Sequence, residues 1–567
     1  MKFKNFAKQL LVKYPAFLNF VDLGRAISAP SEQYSLWSDY FKTFRESIFL
    51  REHRPIAETK KTVLIVLASD MVYEVKLLAM LAFGLKLKDC HIKVLMSRVC
   101  LWAKRYFKTF GINDFVYWDD FKLLEKEKSD CSAEVHKFLS GELNMQSVKK
   151  WKYHSAWIGP QIISAVSRKL MKGAPDLKNP VAQKHLIDIL PETLETVHLA
   201  EKMLDKIRPQ TMILIEANYT LMGALTDTAI GKGVNVIQTV QPSRDDAMIF
   251  KRLTHETRRI HPASVSKSSM DVILEMTWDK QHEEELMREF SNRYGGKWFL
   301  QSRNQPGVKD FSRDEIIAKL GLDLDKRIAV VFSPVLWDAN LFYGEDLFED
   351  FGEWFAETVK AACKNPNVNW IIKMHPANLW KRARENTKSE LAEIALICEK
   401  VGELPAHVKL LYPNTDIGTW SLFQAADYGI TVRGTIGMEL PCFGKPVFTA
   451  GTGRYSGLGF TIDSAAKEEY LDKLAKIHEY PLLTEEQTLL AKKHAYAAFR
   501  LRPWPMKSFR AVFNYKKRGI HPLDHNLLLN ARGLEEIKAN GDLEKWARWA
   551  CGRDIDYLDS AKFPPAS

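Results

Sequence analysis

Apolar positions alternate between two rhythms along most of this chain. From Thr62 the run TVLIVLAS is followed by a helical pattern over Val72 to Leu87, then by HIKVLMS, a helix near Trp102 to Phe110, and FVYW. Buried runs alternating with helices of this length predict a parallel α/β sheet. The stretch from Asp119 to about Arg208 is polar and helical, rich in Lys, Glu and Trp, and reads as an insertion. TMILIEAN (211–218), a helix over Leu221 to Ile230 and VNVIQTV (234–240) then resume the series. The loop Gln305, Pro306, Gly307 separates it from a second one. That series comprises RIAVVFS, a helix from about Leu347 to Cys363, NWIIKMHP, a charged helix near 380–400, VKLLYP, a helix over 418–425, and the stretch from Ala426 to Thr461.

The pattern divides the chain into a helical N-terminal extension over 1–60 and a first Rossmann-like domain over 61–310, with its insertion at about 119–208. A second Rossmann-like domain covers 311–502. A helical C-terminal tail, without strand signal, covers 503–567. The fold class is therefore α/β, with two doubly wound domains and helical extensions at both ends. Lys2, Lys4, Lys8 and Lys13 interleaved with Phe3, Phe6, Leu10, Leu11 and Phe17 predict a basic amphipathic helix, suited to packing on the first domain or to an anionic membrane surface.

Composition narrows the function classes. A chain of 567 residues exceeds one ordinary core. Its 81 Lys plus Arg against 70 Asp plus Glu give a net charge of +11, which favours anionic partners. The cations are spread along the chain, and no nucleic-acid-binding signature accompanies them, so nucleic acid is not an expected partner. Seven cysteines without a CxxC pair or clustered histidines argue against disulfides and a structural zinc site, and fit a reducing cytoplasm. No apolar run reaches the ~18 residues that a membrane-spanning helix needs. The expected location is cytoplasmic, with peripheral attachment at the inner face of the membrane as the alternative.

Candidate chemistry collects at strand ends of the second domain. Lys373, Met374, His375 and Pro376 close one strand, which puts an imidazole at the carboxyl edge where ligands of such sheets bind. Ser333 ends another strand. Arg433, Gly434 and Thr435 form a strand-to-helix turn, where backbone N–H groups favour an anion. Arg433 would read an anionic group there, or else pair with a carboxylate such as Glu439 and hold the turn. Glu439 would accept hydrogen bonds from sugar hydroxyls or place favourable charge at a helix N-terminus. The glycine-rich segment carrying Tyr455 and Gly457 follows the next strand and adds a second crevice. In the first domain, Ser69 with Asp70 and Glu216 with Asn218 are the strand-end candidates for a catalytic base, with capping as their alternative role. The pairs Asp323/Asp325 and Asp554/Asp556 lie at the wrong sheet edge and in the tail, so no essential metal is expected. No cofactor motif, neither P-loop nor GxGxxG, stands at a strand end.

KMHP (373–376) followed by TVRGTIGMELPCFGKPVFTAGTGRYSGLGFT (431–461) resembles the capsule polysaccharide biosynthesis glycosyltransferases, the group containing the capsule Kdo transferases, and more distantly the CDP-glycerol glycerophosphotransferases. The resemblance covers about 327–465. It implies the GT-B architecture, with two Rossmann-like domains facing a cleft and the nucleotide-sugar donor held by the second. It further implies that His375 contacts the donor phosphate and that the turn at Arg433, Gly434 and Thr435 binds the rest of the nucleotide. Kdo transferases often carry small hydroxyl residues where this chain has Arg433. The expected activity is metal-independent transfer of a sugar, such as an ulosonic acid, to a lipid-linked or oligosaccharide acceptor of a surface polysaccharide. Alternatives are a glycerophosphate-type phosphotransferase, a sugar-nucleotide epimerase and a non-catalytic component of a polysaccharide export assembly.

Overall fold

The computed structural model describes residues 27, 29–53, 61–141, 143–173, 175–242, 244–338, 342–384, 390–514 and 521–559; the basic amphipathic helix expected at Lys2 to Phe17 lies outside them. Strands β1 (Lys61–Val66), β2 (Cys90–Met96), β3 (Phe115–Tyr117), β4 (Thr211–Leu214), β5 (Asn235–Val240) and β6 (Ala247–Leu253) build the first sheet. Strands β7 (Ile328–Phe332), β8 (Asn369–Lys373), β9 (Val408–Leu411), β10 (Tyr428–Thr431) and β11 (Val447–Thr449) build the second. The first five strands run parallel in the order β3-β2-β1-β4-β5, and the second sheet repeats that order as β9-β8-β7-β10-β11. Each is a doubly wound Rossmann sheet, whose order reverses between β1 and β4 and between β7 and β10, the positions where such sheets open a ligand crevice. Both faces of these strands are covered, which is why β7 and β8 are buried along their whole length and read as continuous apolar runs.

Three features depart from the sequence pattern. Strand β6, not foreseen, adds antiparallel to β5. Beyond Pro503 the chain is not a helical tail: β12 (Trp504–Pro505) pairs antiparallel with β6, and β13 (Phe509–Phe513) forms a hairpin with β14 (His525–Leu529) before the helices Leu534–Asn540 and Asp542–Cys551. The helix expected over Thr435 to Phe443 is a single α-turn, Ile436–Glu439, continued as 3-10 helix over Leu440–Phe443, because Pro441 has no N–H to bond back and Gly444, at φ +73°, ends it.

The last third of the chain ties the two sheets together. Helix Glu485–Tyr496 packs on the second domain, and its core also takes Met270, Ile273, Leu286 and Phe290 from helices Lys267–Leu274 and Lys280–Tyr294, which the sequence pattern assigns to the first domain. The chain then crosses back, so that Trp504, Trp546 and Trp549 join the first domain's core around Phe250. Arg502 anchors this crossing. It is fully buried, donates to the carbonyls of Pro262 and Phe250 at 2.8 Å each, and lies 3.1 Å from Asp556. At the other end, helix Pro30–Glu46 packs on the first domain, with Asp39 2.7 Å from buried Lys76.

Candidate active site

Strand β8 ends at Lys373, paired in register with Phe332 of β7 and Leu411 of β9. Its side chain is buried, and among the described residues no carboxylate pairs with it; burial alone pulls its pKa down to about 8. Three residues on, Pro376 supplies no N–H, and the N–H that follows it, that of Ala377, turns back to donate to His375 Nδ1 at 3.1 Å. An imidazole that accepts at Nδ1 carries its proton on Nε2 and donates from there. Burial, helped by Lys373 and Lys381, pulls the His375 pKa to about 3, so the ring is neutral at any physiological pH.

These two residues face a cavity of about 630 Å³ between the carboxyl edges of the two sheets. The first domain contributes Gln241, just past β5, and His261. The second contributes Ser333, Lys373, His375, Pro376, Gly434 and Thr435. Among the described residues, five cationic side chains line the cavity, Arg293, Arg303, Lys373, Lys381 and Arg454, against one carboxylate, Asp338. Lys381 ion-pairs with Asp338, which also accepts from Tyr219 at 2.6 Å. Burial opposes the charge on Asp338, yet Lys381 and Tyr219 hold its carboxyl below the usual range.

Donors outnumber acceptors deeper in. His261 accepts the Ala263 N–H at Nδ1 (3.1 Å), while Arg454 approaches its Nε2 at 2.7 Å. A guanidinium only donates, so both ring nitrogens face donors, and a neutral imidazole can accept at one. Burial and then Arg454 hold the His261 pKa well below its ordinary value. Arg454 Nε is also buried without a hydrogen-bond partner, and burial draws the Arg454 pKa down to about 10. An anionic oxygen entering the cavity would satisfy these groups.

The other residues singled out from the sequence have different places. Arg433 does not line the cavity. It ion-pairs with Asp346, donates to the carbonyl of Tyr343 and reaches that of Glu345 at 3.3 Å, which pins the loop 343–346. Its partner is therefore a carboxylate, but Asp346 and not Glu439. The glycines after β11 pack around this arginine: a Cβ on Gly453 would come within 3.1 Å of Arg433 Cβ, and one on Gly451 within 2.6 Å of the Glu345 carbonyl. Glu439 is fully buried, 3.1 Å from Arg293 Nε, and so positions a cavity cation rather than meeting a ligand. Arg293 in turn donates to Thr435 Oγ1 at 3.3 Å. Tyr455 braces the turn through its hydroxyl to the Gly434 carbonyl, 2.8 Å, and its ring fills the space a Cβ on Gly437 would need. Gly457 donates to Asp463 outside the cavity. Ser333 lines the wall, with its hydroxyl turned to the Pro334 carbonyl, 2.9 Å.

In the first domain Asp70 is occupied as a helix cap, accepting from Ala103 N at 2.6 Å and Trp102 N at 3.3 Å. Glu216, just past β4, is not among the cavity-lining residues. It accepts from Asn218 N at 2.7 Å, and burial raises its pKa despite that bond and nearby Arg168. Asp323 and Asp556 are engaged by Lys326 and Arg502, away from the cavity.

Sequence reasoning missed His261, Arg293, Arg303, Trp380 and Arg454. A signal for His261 was present: His261-Pro262-Ala263 repeats His375-Pro376-Ala377, and in both the imidazole Nδ1 takes the N–H two residues on. No local signal marks the arginines, which reach the cavity from helices and loops. Arg303, on helix Phe299–Asn304, lies 3.8 Å over the Trp380 ring, a flat wall suited to a planar group.

No protein family and no curated protein matches the chain. Among solved structures it is similar to two of Thermosulfurimonas dismutans KpsC. One is a beta Kdo 2,4 transferase, with 13% identity over 59% of this chain and 87% of that one and a TM-score of 0.32; the other is a beta Kdo 2,7 transferase, with 14% identity over 62% and 89% and a TM-score of 0.30. It is also similar to the UDP-GlcNAc 2-epimerase of Neisseria meningitidis bound to UDP-GlcNAc, with 12% identity, coverage of 77% and 95%, and a TM-score of 0.24. Identities and scores this low assign no activity, and the architecture rests on the two sheets themselves.

Proposed function

We propose that the chain is a metal-independent glycosyltransferase that moves a sugar from a nucleotide-activated donor to a lipid-linked or oligosaccharide acceptor of a surface polysaccharide. The observation that carries this reading is the buried Lys373, with no carboxylate partner among the described residues, lining the same cavity as His375 at the edge of a Rossmann sheet, where donors are in surplus. Such a site favours the charge that builds on a leaving phosphate, and its cations take the place of a divalent ion. The motif resemblance makes an ulosonic acid such as Kdo one candidate sugar, although Arg433 stands where Kdo transferases often carry small hydroxyl residues. Glu216, at the carboxyl edge of the first sheet just past β4, is the proposed base; since it lies outside the cavity lining, the acceptor hydroxyl would have to reach it beyond the donor pocket. The net charge of +11 suits work at an anionic membrane face.

The test is turnover with CMP-, UDP-, GDP- and CDP-linked donors, run in chelator. One donor should be consumed, and His375→Ala should lower its turnover about a hundredfold, the loss of ~3 kcal/mol of phosphate stabilisation. Epimerised donor as product, dependence on added magnesium, or an unaffected His375→Ala would defeat the reading.

A further inference from the structure

The helical insertion brings together three ligands that the linear sequence keeps apart. His154 lies in the tight turn Tyr153 to Ala156, and His198 and Glu201 lie on helix Pro180–Ile207. His154 Nδ1 is 3.0 Å and His198 Nδ1 3.9 Å from the Glu201 carboxylate, and one ligand atom from each of the three lies within 4.8 Å of the other two. Tetrahedral zinc holds its ligands about 3.3 Å apart, given bonds of about 2.0 to 2.1 Å, so small side-chain rotations close this set around an ion.

The surroundings are those of a metal-bound imidazole. Tyr153 Oη lies 2.8 Å from His198 Nε2 and can accept its proton, which leaves the Nδ1 lone pair for an ion; Cys131 Sγ in turn lies 3.9 Å from that oxygen. The Tyr153 ring stacks on His154 at 4.4 Å and fixes its plane. His154 holds a left-handed backbone, φ +50°, a conformation side chains other than glycine rarely adopt. The His154, His198 and Glu201 side chains are 41%, 11% and 28% exposed, so an ion can enter from solvent.

We propose that His154, His198 and Glu201 bind a divalent transition-metal ion of the zinc class, with water completing the coordination. Two imidazoles and one carboxylate suit zinc over calcium or magnesium, which want oxygen ligands. The ion would staple the 153–156 turn to the long helix, bridging residues 47 apart in sequence. It lies outside the residues that line the cleft, so its role is structural and independent of the transfer chemistry proposed above.

Tag-free protein of residues 1–567, stripped with chelator, tests this by calorimetric titration with zinc chloride and by the visible absorption of added cobalt(II). The expected result is one zinc per chain with a dissociation constant of about 1 μM or tighter, a four-coordinate cobalt spectrum, and a higher unfolding temperature with zinc. The double variant H154A/H198A should lose the site, and Glu201→Gln, which keeps both imidazoles, should weaken it at least ~10-fold. No binding at about 100 μM zinc, a hundred times the expected constant, would overturn the proposal. So would the same stoichiometry and affinity in Glu201→Gln, which decides alone if the double variant does not fold.

Discussion

Lys373 is a burden to the free protein. Its pKa near 8, against about 10.4 in an unfolded chain, means that the buried ammonium costs about 3 kcal/mol below pH 8. The unfolded chain holds the proton where the folded one does not, so this cost fades, and stability rises, as pH climbs from about 8 to about 10.4. An anion in the cavity gains from the same charge, so affinity for a nucleotide should fall above about pH 8 as Lys373 deprotonates. Lys373→Met keeps the packed stem and removes the charge; it should be no less stable than the parent and should lose that pH limb. Titrations at several pH values check this, and a limb that persists in the variant places the proton elsewhere. His375 and Lys373 were legible because a lysine and a His-Pro pair closing an apolar run fall at a strand's carboxyl edge. Arg433 was misplaced because its partner, Asp346, sits 87 residues away in a loop with no periodicity to betray it.

Elements with a repeating pattern were legible, and short or interrupted ones were not. Strands β1, β2, β4, β5 and β7 to β11 follow apolar runs, whereas β6 carries Lys251 and Arg252 and β12 is two residues long. Both are held by tertiary contacts: Arg252 is satisfied by the Asp554 and Trp549 carbonyls, each 3.0 Å away, and Lys251 lies 3.9 Å from Asp556. The loop 343–346 likewise depends on a distant residue. Arg433→Ala strands Asp346, whose carboxyl burial already raises to about 6 despite Arg433, and should cost about 3 kcal/mol of stability. Nucleotide affinity should stay within about twofold, since the arginine faces away from the cavity. Denaturant unfolding paired with calorimetry distinguishes the outcomes; unchanged stability with a tenfold loss of affinity would return Arg433 to the site.

Across the whole molecule, two doubly wound sheets were legible from the alternation of strands and helices, but the returning C-terminal segment was not, because its strands, of two to five residues, give no strand signal. That return makes Asp556 a clasp: with Arg502 and Lys251 it holds the segment that follows helix Asp542–Cys551 onto the first domain. Asp556→Ala leaves two buried cations without their carboxylate and should cost about 3 to 5 kcal/mol in urea unfolding; a loss below 1 kcal/mol would show the clasp to be dispensable. The central claim, that the cavity between the sheets holds a nucleotide-activated sugar by its phosphate, is tested most directly by calorimetric titration of CMP, CDP, UDP and GDP into the parent protein and Lys373→Met at pH 7. The account predicts that at least one nucleotide binds the parent and binds Lys373→Met at least about tenfold more weakly, the worth of one charged hydrogen bond. Equal affinity for both proteins, or no binding of any nucleotide, would contradict it.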